Sequence, residues 1–106
     1  MSQVVEGNYK NYRYPLLRKP LMELPLGNIK PKGWLHEMLV RQKNGASGQK
    51  DVLYPSVMGK RNGWLGGDGD QWERGPYWID GLLPLAYILD DDVLKAKVQP
   101  WIEWAL

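Results

Sequence analysis

The residues best suited to chemistry gather in one stretch. Trp64, Trp72, Tyr77 and Trp78 share it with Asp68, Asp70, Glu73, Arg74 and Asp80. Buried aromatics usually sit among aliphatics, and carboxylates stay outside unless paired, so this mixture points to the wall of a polar-ligand pocket rather than to core filling. Sugars need that combination: flat rings for the apolar side of the pyranose or furanose, and carboxylate, amide and guanidinium groups for its hydroxyls. Trp72, Glu73, Arg74, Tyr77 and Asp80 are the candidate substrate-binding residues. On a helix reaching back to Trp72, Glu73, Tyr77 and Asp80 stand at i, i+4 and i+7 on one face. Glu73 and Asp80 then lie about 10 Å apart by helical rise, which flexible side chains can close to the separation of an inverting acid/base pair. They are the candidate catalytic residues. The structural alternative is that Asp70 caps the helix with Glu73 completing a capping box, or that Glu73 or Asp80 neutralises Arg74.

The elements that must position these groups belong to a chain of 106 residues, enough for one modest core and too short for two. Hydrophobic residues at 43% and charged residues at 25% are the balance of a globular protein. A net charge of +2 is too mild to argue for nucleic acid. The charge is divided: the basic residues prevail before residue 60 and the acids after it, together with the aromatics. This predicts an acidic, aromatic face that repels phosphates. There is no cysteine, which removes disulfides, thiolate metal sites and a cysteine nucleophile from this sequence. A single histidine, His36, removes an all-histidine metal site, and no metal site is expected. No apolar run approaches membrane-spanning length. The first residues lack the basic start and apolar run of a signal peptide. Removal of a leader would place the protein in the periplasm or outside the cell, and otherwise it is cytoplasmic.

Residues 1–28 read as an extended arm, broken by Pro15, Pro20 and Pro25 and anchored by leucines, with Tyr9, Tyr12 and Tyr14 in loose alternation. A first helix is predicted from about Lys32 to Asn44, with Trp34, Leu35, Met38, Leu39 and Gln42 near one another and His36 at the edge of that stripe. Gly45–Asp70 reads as one long glycine-rich loop, which Trp64 argues against treating as a linker. A second helix covers about Gly75 or Pro76 to Leu89, with Trp78, Leu82, Leu85 and Leu89 as its stripe, a bend near Pro84, and close packing or ligand approach at Gly81. Asp92 reads as the N-cap of a third helix starting at Val93 and kinked at Pro100. That helix stops in mid-stripe at Leu106. Its wide apolar surface, with that of the second helix, predicts a fragment of a larger helical protein.

Several blocks are similar to a known family. Leu24-Pro-Leu-Gly-Asn-Ile-Lys-Pro-Lys-Gly-Trp-Leu35, Gly63-Trp-Leu-Gly-Gly67, Trp72-Glu-Arg-Gly-Pro-Tyr77 and Asp80-Gly-Leu-Leu-Pro-Leu-Ala-Tyr-Ile-Leu-Asp-Asp91 resemble the N-terminal part of the β-L-arabinofuranosidase-like glycoside hydrolases, family 127 and its relatives. The resemblance covers residues 24–106. It implies an all-α fold, the opening helices of an (α/α)6 barrel of the six-hairpin glycosidase kind, with residues 29–106 as the N-terminal part of the catalytic domain. The implied substrates are plant-type or other complex glycans, arabinofuranosides among them, and the implied partner is the remainder of the barrel. It also implies a cysteine nucleophile held with zinc, and a glutamate acid/base, in parts of the family's chain that have no counterpart here. The expected contribution of this segment is barrel helices and a pocket wall, without activity of its own. Two other readings stay open: part of an (α/α) barrel polysaccharide lyase, using Tyr or His as base and Arg against a uronate, or a non-enzymatic carbohydrate-binding or scaffold segment.

Overall fold

A computed structural model describes residues 14–106. The helices are α1 (Trp34–Asn44), α2 (Ala46–Leu53), α3 (Arg74–Ile88) and α4 (Asp92–Ala105), with a 3-10 turn at Gly63–Leu65. There is no strand among the described residues, so the described chain is all-α. Residues 1–13, with Tyr9, Tyr12 and the start of the expected arm, lie outside the described residues.

The core is the hairpin of α3 and α4. Trp78, Leu82, Leu85 and Ala86 on α3 meet Leu94 and Val98 on α4, and all six are buried. The predicted stripe therefore faces inward as far as Leu85, while Leu89 ends the helix only partly covered. Trp101 closes one end, edge-on to Trp78 with centroids 6.2 Å apart and planes at 79°, an arrangement that sets one ring's positive rim on the other's negative face. Both helices run on through their prolines, Pro84 and Pro100. The turn between them is compact. Asp90 takes a left-handed conformation with φ 52°, and the Asp91 N–H reaches back to the Ala86 carbonyl at 2.9 Å, the 6→1 bond of a Schellman ending.

Three expectations are corrected here. Asp91, not Asp92, caps α4: its Oδ1 accepts from the Leu94 N–H at 2.9 Å, and Asp92 is the first helical residue. The first helix begins at Trp34, because Gly33 has φ 63° and cannot continue a helix toward Lys32. Its apolar stripe is largely uncovered: Trp34, Leu35 and Met38 are exposed, and Leu39 packs against the hairpin. His36 is exposed as well. Finally, the stretch expected to be one long loop contains α2.

That helix has no apolar stripe to announce it. Val52 and Leu53 are exposed, and its one buried residue is Gly48. It is held by its backbone instead. The Trp78 indole Nε1 donates to the Ser47 carbonyl at 2.7 Å, and Lys97 Nζ donates to the Gly48 carbonyl at 2.7 Å and to Asp51 Oδ1 at 2.9 Å. Both α3 and α4 therefore grip the first turn of α2.

The rest of the glycine-rich segment is ordered around Asn62, which is 1% exposed. Its Nδ2 donates to the Gly59 carbonyl at 2.6 Å and its Oδ1 accepts from the Leu65 N–H at 2.9 Å. Backbone bonds from Asp70 to Ser56, Gly69 to Arg61 and Gly63 to Asp70 tie the two ends of the loop together. At Gly69 a Cβ would fall 2.1 Å from the Ser56 carbonyl oxygen, so this approach admits only glycine. On the opposite side, Lys30 Nζ donates to the carbonyls of Tyr87 and Ile88, both at 2.9 Å. A cation there satisfies carbonyls that the end of α3 leaves free and suits the negative end of the helix dipole.

Candidate functional site

Helical spacing brings Arg74, Tyr77, Trp78, Gly81, Leu82 and Leu85 onto one side of α3, and that side forms a wall of a cleft of about 410 Å³. Facing it are Gln42 from the end of α1, Ser47 and Lys50 from α2, and Met58 from the loop that follows. The Trp78 indole on α3 donates to the Ser47 carbonyl on α2 at 2.7 Å, which ties the two walls together. Its floor is apolar, made by Met58, Trp78, Leu82 and Leu85. Its polar groups are an amide, a phenol, an ammonium and a guanidinium. At Gly81 a Cβ would meet nothing within 4 Å. The glycine predicted for close packing or ligand approach is thus not required by packing, and it opens onto the cleft.

The predicted site residues divide. Arg74 and Tyr77 come together on the cleft, where Tyr77 is 72% exposed. Trp72, Glu73 and Asp80 are exposed and lie outside its lining. Glu73 is the N-cap residue of α3, with helical φ and ψ and no side-chain capping bond. The capping-box alternative for Asp70 and Glu73 is therefore not what forms. Asp70 instead pairs with Arg74, Oδ1 to Nη2 at 3.1 Å, as an i, i+4 ion pair. Asp70 is also the better buried partner, with a side chain 10% exposed against 63% for Arg74. Its second oxygen, Oδ2, is buried without a hydrogen bond among the described residues.

Two tryptophans outside the cleft lining, Trp64 and Trp101, fix the start of α3. Trp64 Nε1 donates to the Trp72 carbonyl at 2.7 Å. Gly75 is buried between the indoles: a Cβ there would lie 2.6 Å from Trp101 Cη2 and 3.4 Å from Trp64 Cδ1. The Gly-Pro step after Arg74 therefore lets α3 start against two tryptophans, which sets the height at which Arg74 and Tyr77 emerge.

The acidic face expected from the charge division does not form as a face. Asp68 pairs with Arg61, Asp70 with Arg74, Asp90 with Lys95 and Asp91 with Lys43. The Arg61 guanidinium holds the Asp68 carboxyl below its usual range, first by its hydrogen bonds and then by charge. Lys95, with Lys30 behind it, does the same for Asp90. Asp91 is lowered by the Lys43 ammonium and by the Leu94 N–H that it caps. The cleft itself has no carboxylate in its lining.

Lys50 and Ser47 were not singled out from the sequence, and Gln42 was read only as part of the first helix's stripe. They sit on or beside the helix that has no apolar period, and only the bond from Trp78 to Ser47 brings them to the wall. A second cavity of about 440 Å³ lies between α2 and α4, lined by Val52, Pro55, Leu65, Pro100 and Trp101 among others. Its Lys97 is occupied by Asp51 and the Gly48 carbonyl.

No three His, Asp or Glu side chains converge as a metal site among the described residues, and no described helix is long and apolar enough to cross a membrane. Comparison with protein-family models, with curated proteins and with solved structures returned no match to this chain. The functional reading therefore stands on the residues and their geometry.

Proposed function

We propose that this chain is part of a carbohydrate-active protein, contributing the opening helices and one substrate-facing wall of an (α/α)6 barrel glycoside hydrolase that acts on plant-type or other complex glycans, arabinofuranosides among them. The observation that carries the reading is the cleft between α2 and α3. It combines an apolar floor with a phenol, an amide and a guanidinium. A sugar ring uses such a site by laying its C–H face on the apolar floor and directing its hydroxyls to the polar rim. The exposed Trp34, Leu35 and Met38 on α1 and Trp104 on α4 suit burial against further barrel helices.

The residues present do not fit a cysteine–zinc centre, since there is no cysteine and no converging set of other ligands among the described residues. Glu73 and Asp80 stand outside the cleft, so this wall binds and orients the glycan and the bond-breaking groups belong to the rest of the barrel. The lyase alternative is favoured by one observation: Tyr77 and Arg74 line the cleft together and no carboxylate does.

Turnover and binding test the reading together. The 106-residue chain should show glycan-induced changes in tryptophan fluorescence that are lost in Tyr77→Ala, without hydrolysing nitrophenyl glycosides. Sustained turnover by this chain, abolished by Glu73→Gln or Asp80→Asn, would instead make the carboxylate pair the catalyst. Absence of binding to every glycan in a pectin, arabinan and xylan panel would refute the carbohydrate reading.

A further inference from the structure

We propose that the cleft between α2 and α3 is a subsite for an acidic sugar, a uronate, whose carboxylate is held by Lys50 and Arg74. The proposal rests on the carbohydrate reading of the same cleft and adds the charge of its ligand. Two cations line the wall and neither Asp nor Glu does. Arg74 gives one nitrogen of its fork to Asp70, which leaves its other donors for a ligand. Lys50 Nζ makes no ion pair or hydrogen bond among the described residues, although its residue is only partly exposed. The second cavity is the internal contrast: a carboxylate, Asp51, lines it and already holds Lys97.

Lys50, with no counter-charge among the described residues, and the donors that Arg74 does not give to Asp70 set a positive potential over the apolar lining of a concave site. A neutral sugar makes little use of that potential. A carboxylate answers it, because the planar guanidinium matches its two oxygens and the ammonium adds a second charge-assisted bond. The remaining groups suit the rest of the ring: Gln42 and the Tyr77 phenol for hydroxyls, and Met58, Trp78 and Leu82 for the C–H face. Gly81, open where a Cβ would meet no neighbour within 4 Å, leaves room for the ring beside α3.

Calorimetric titration of the 106-residue chain with galacturonate and glucuronate oligomers, with the methyl esters of the same oligomers, and with inorganic sulfate tests the assignment. The esters keep every ring and remove the charge. An acid oligomer is expected to bind at least about tenfold more tightly than its ester, with the difference shrinking as added salt screens it. Lys50→Met and Arg74→Met should each weaken the acid about fivefold or more, and by a clearly larger factor than they weaken the ester. Unchanged circular dichroism and melting temperature would show that both variants fold, and Gly81→Leu, which fills the cleft without touching charge, should weaken acid and ester alike. Equal affinity for acid and ester would overturn the uronate assignment while the carbohydrate reading stands. Sulfate binding as tightly as the acid oligomers would reduce the site to a general anion cleft and overturn it too. No binding of any oligomer would overturn both.

Discussion

Asn62 and Gly75 are single residues on which the site depends without forming part of the cleft wall. Asn62 is buried and spends both ends of its amide on loop backbone. Asn62→Leu keeps the volume but strands the Leu65 N–H and the Gly59 carbonyl, which should cost about 2 kcal/mol in chemical denaturation. Gly75→Ala pushes a methyl into Trp101, which is itself packed on Trp78. A loss of about 1–3 kcal/mol is expected, with a change in tryptophan emission. Asp91 gives a pH prediction. Its folded pKa is depressed below the ordinary 3.8 by the Lys43 ammonium first and the capped N–H next. Its stabilisation is therefore complete above the unfolded carboxylate value and is lost as pH falls through the folded one. Melting temperature should drop below about pH 4, and Asp91→Asn, which can still cap α4, should make that drop shallower. A drop of the same steepness in the variant would mean that other carboxylates dominate acid unfolding.

At the scale of the element, helix ends decide more than helix middles. The α3–α4 turn depends on Asp90 in a left-handed conformation, where glycine is the cheaper residue. Its pair with Lys95 is exposed on the Asp90 side and contributes little. Asp90→Gly should therefore stabilise the hairpin by up to about 1 kcal/mol, read as a rise of several degrees in melting temperature. Lys30→Met should lower it by removing the cation from the end of α3. These features also show what was legible beforehand. The stripe from Trp78 to Leu85 and the end of α1 at Asn44 could be read from the sequence, because both depend on local pattern. The assignment of the cap to Asp92 missed by one residue, since an Asp triplet offers equivalent capping chemistry at each position and only the Schellman turn selects Asp91. The helix Ala46–Leu53 was illegible for a deeper reason: its hold on the fold is the donation of Trp78 and Lys97 to backbone carbonyls, a signal carried by residues 31 and 49 positions away.

For the molecule as a whole, the charge division read from the sequence is real but has a different consequence. Four of the acids that follow residue 60 are consumed in ion pairs, and the two that were the best catalytic candidates, Glu73 and Asp80, lie away from the concave surface. Counting charges along a chain gives no information on which of them neutralise each other across it. Arg74 and Tyr77 were recognisable because they sit four and one residues from the apolar stripe that fixes α3. Lys50 was not, since its position follows from α2. The resulting molecule is a helical hairpin with a helix pair laid beside it, and the cleft is the gap between the two units.

The most direct test of that account is a nuclear magnetic resonance titration of the isotopically labelled chain with oligogalacturonate. The account predicts shifts concentrated on Gln42, Lys50, Arg74, Tyr77 and Gly81, which line only the α2–α3 cleft, with the Leu65 and Pro100 side of the molecule unperturbed. Shifts confined to that second cavity, or none at all, would contradict the assignment of the α2–α3 cleft as the glycan site.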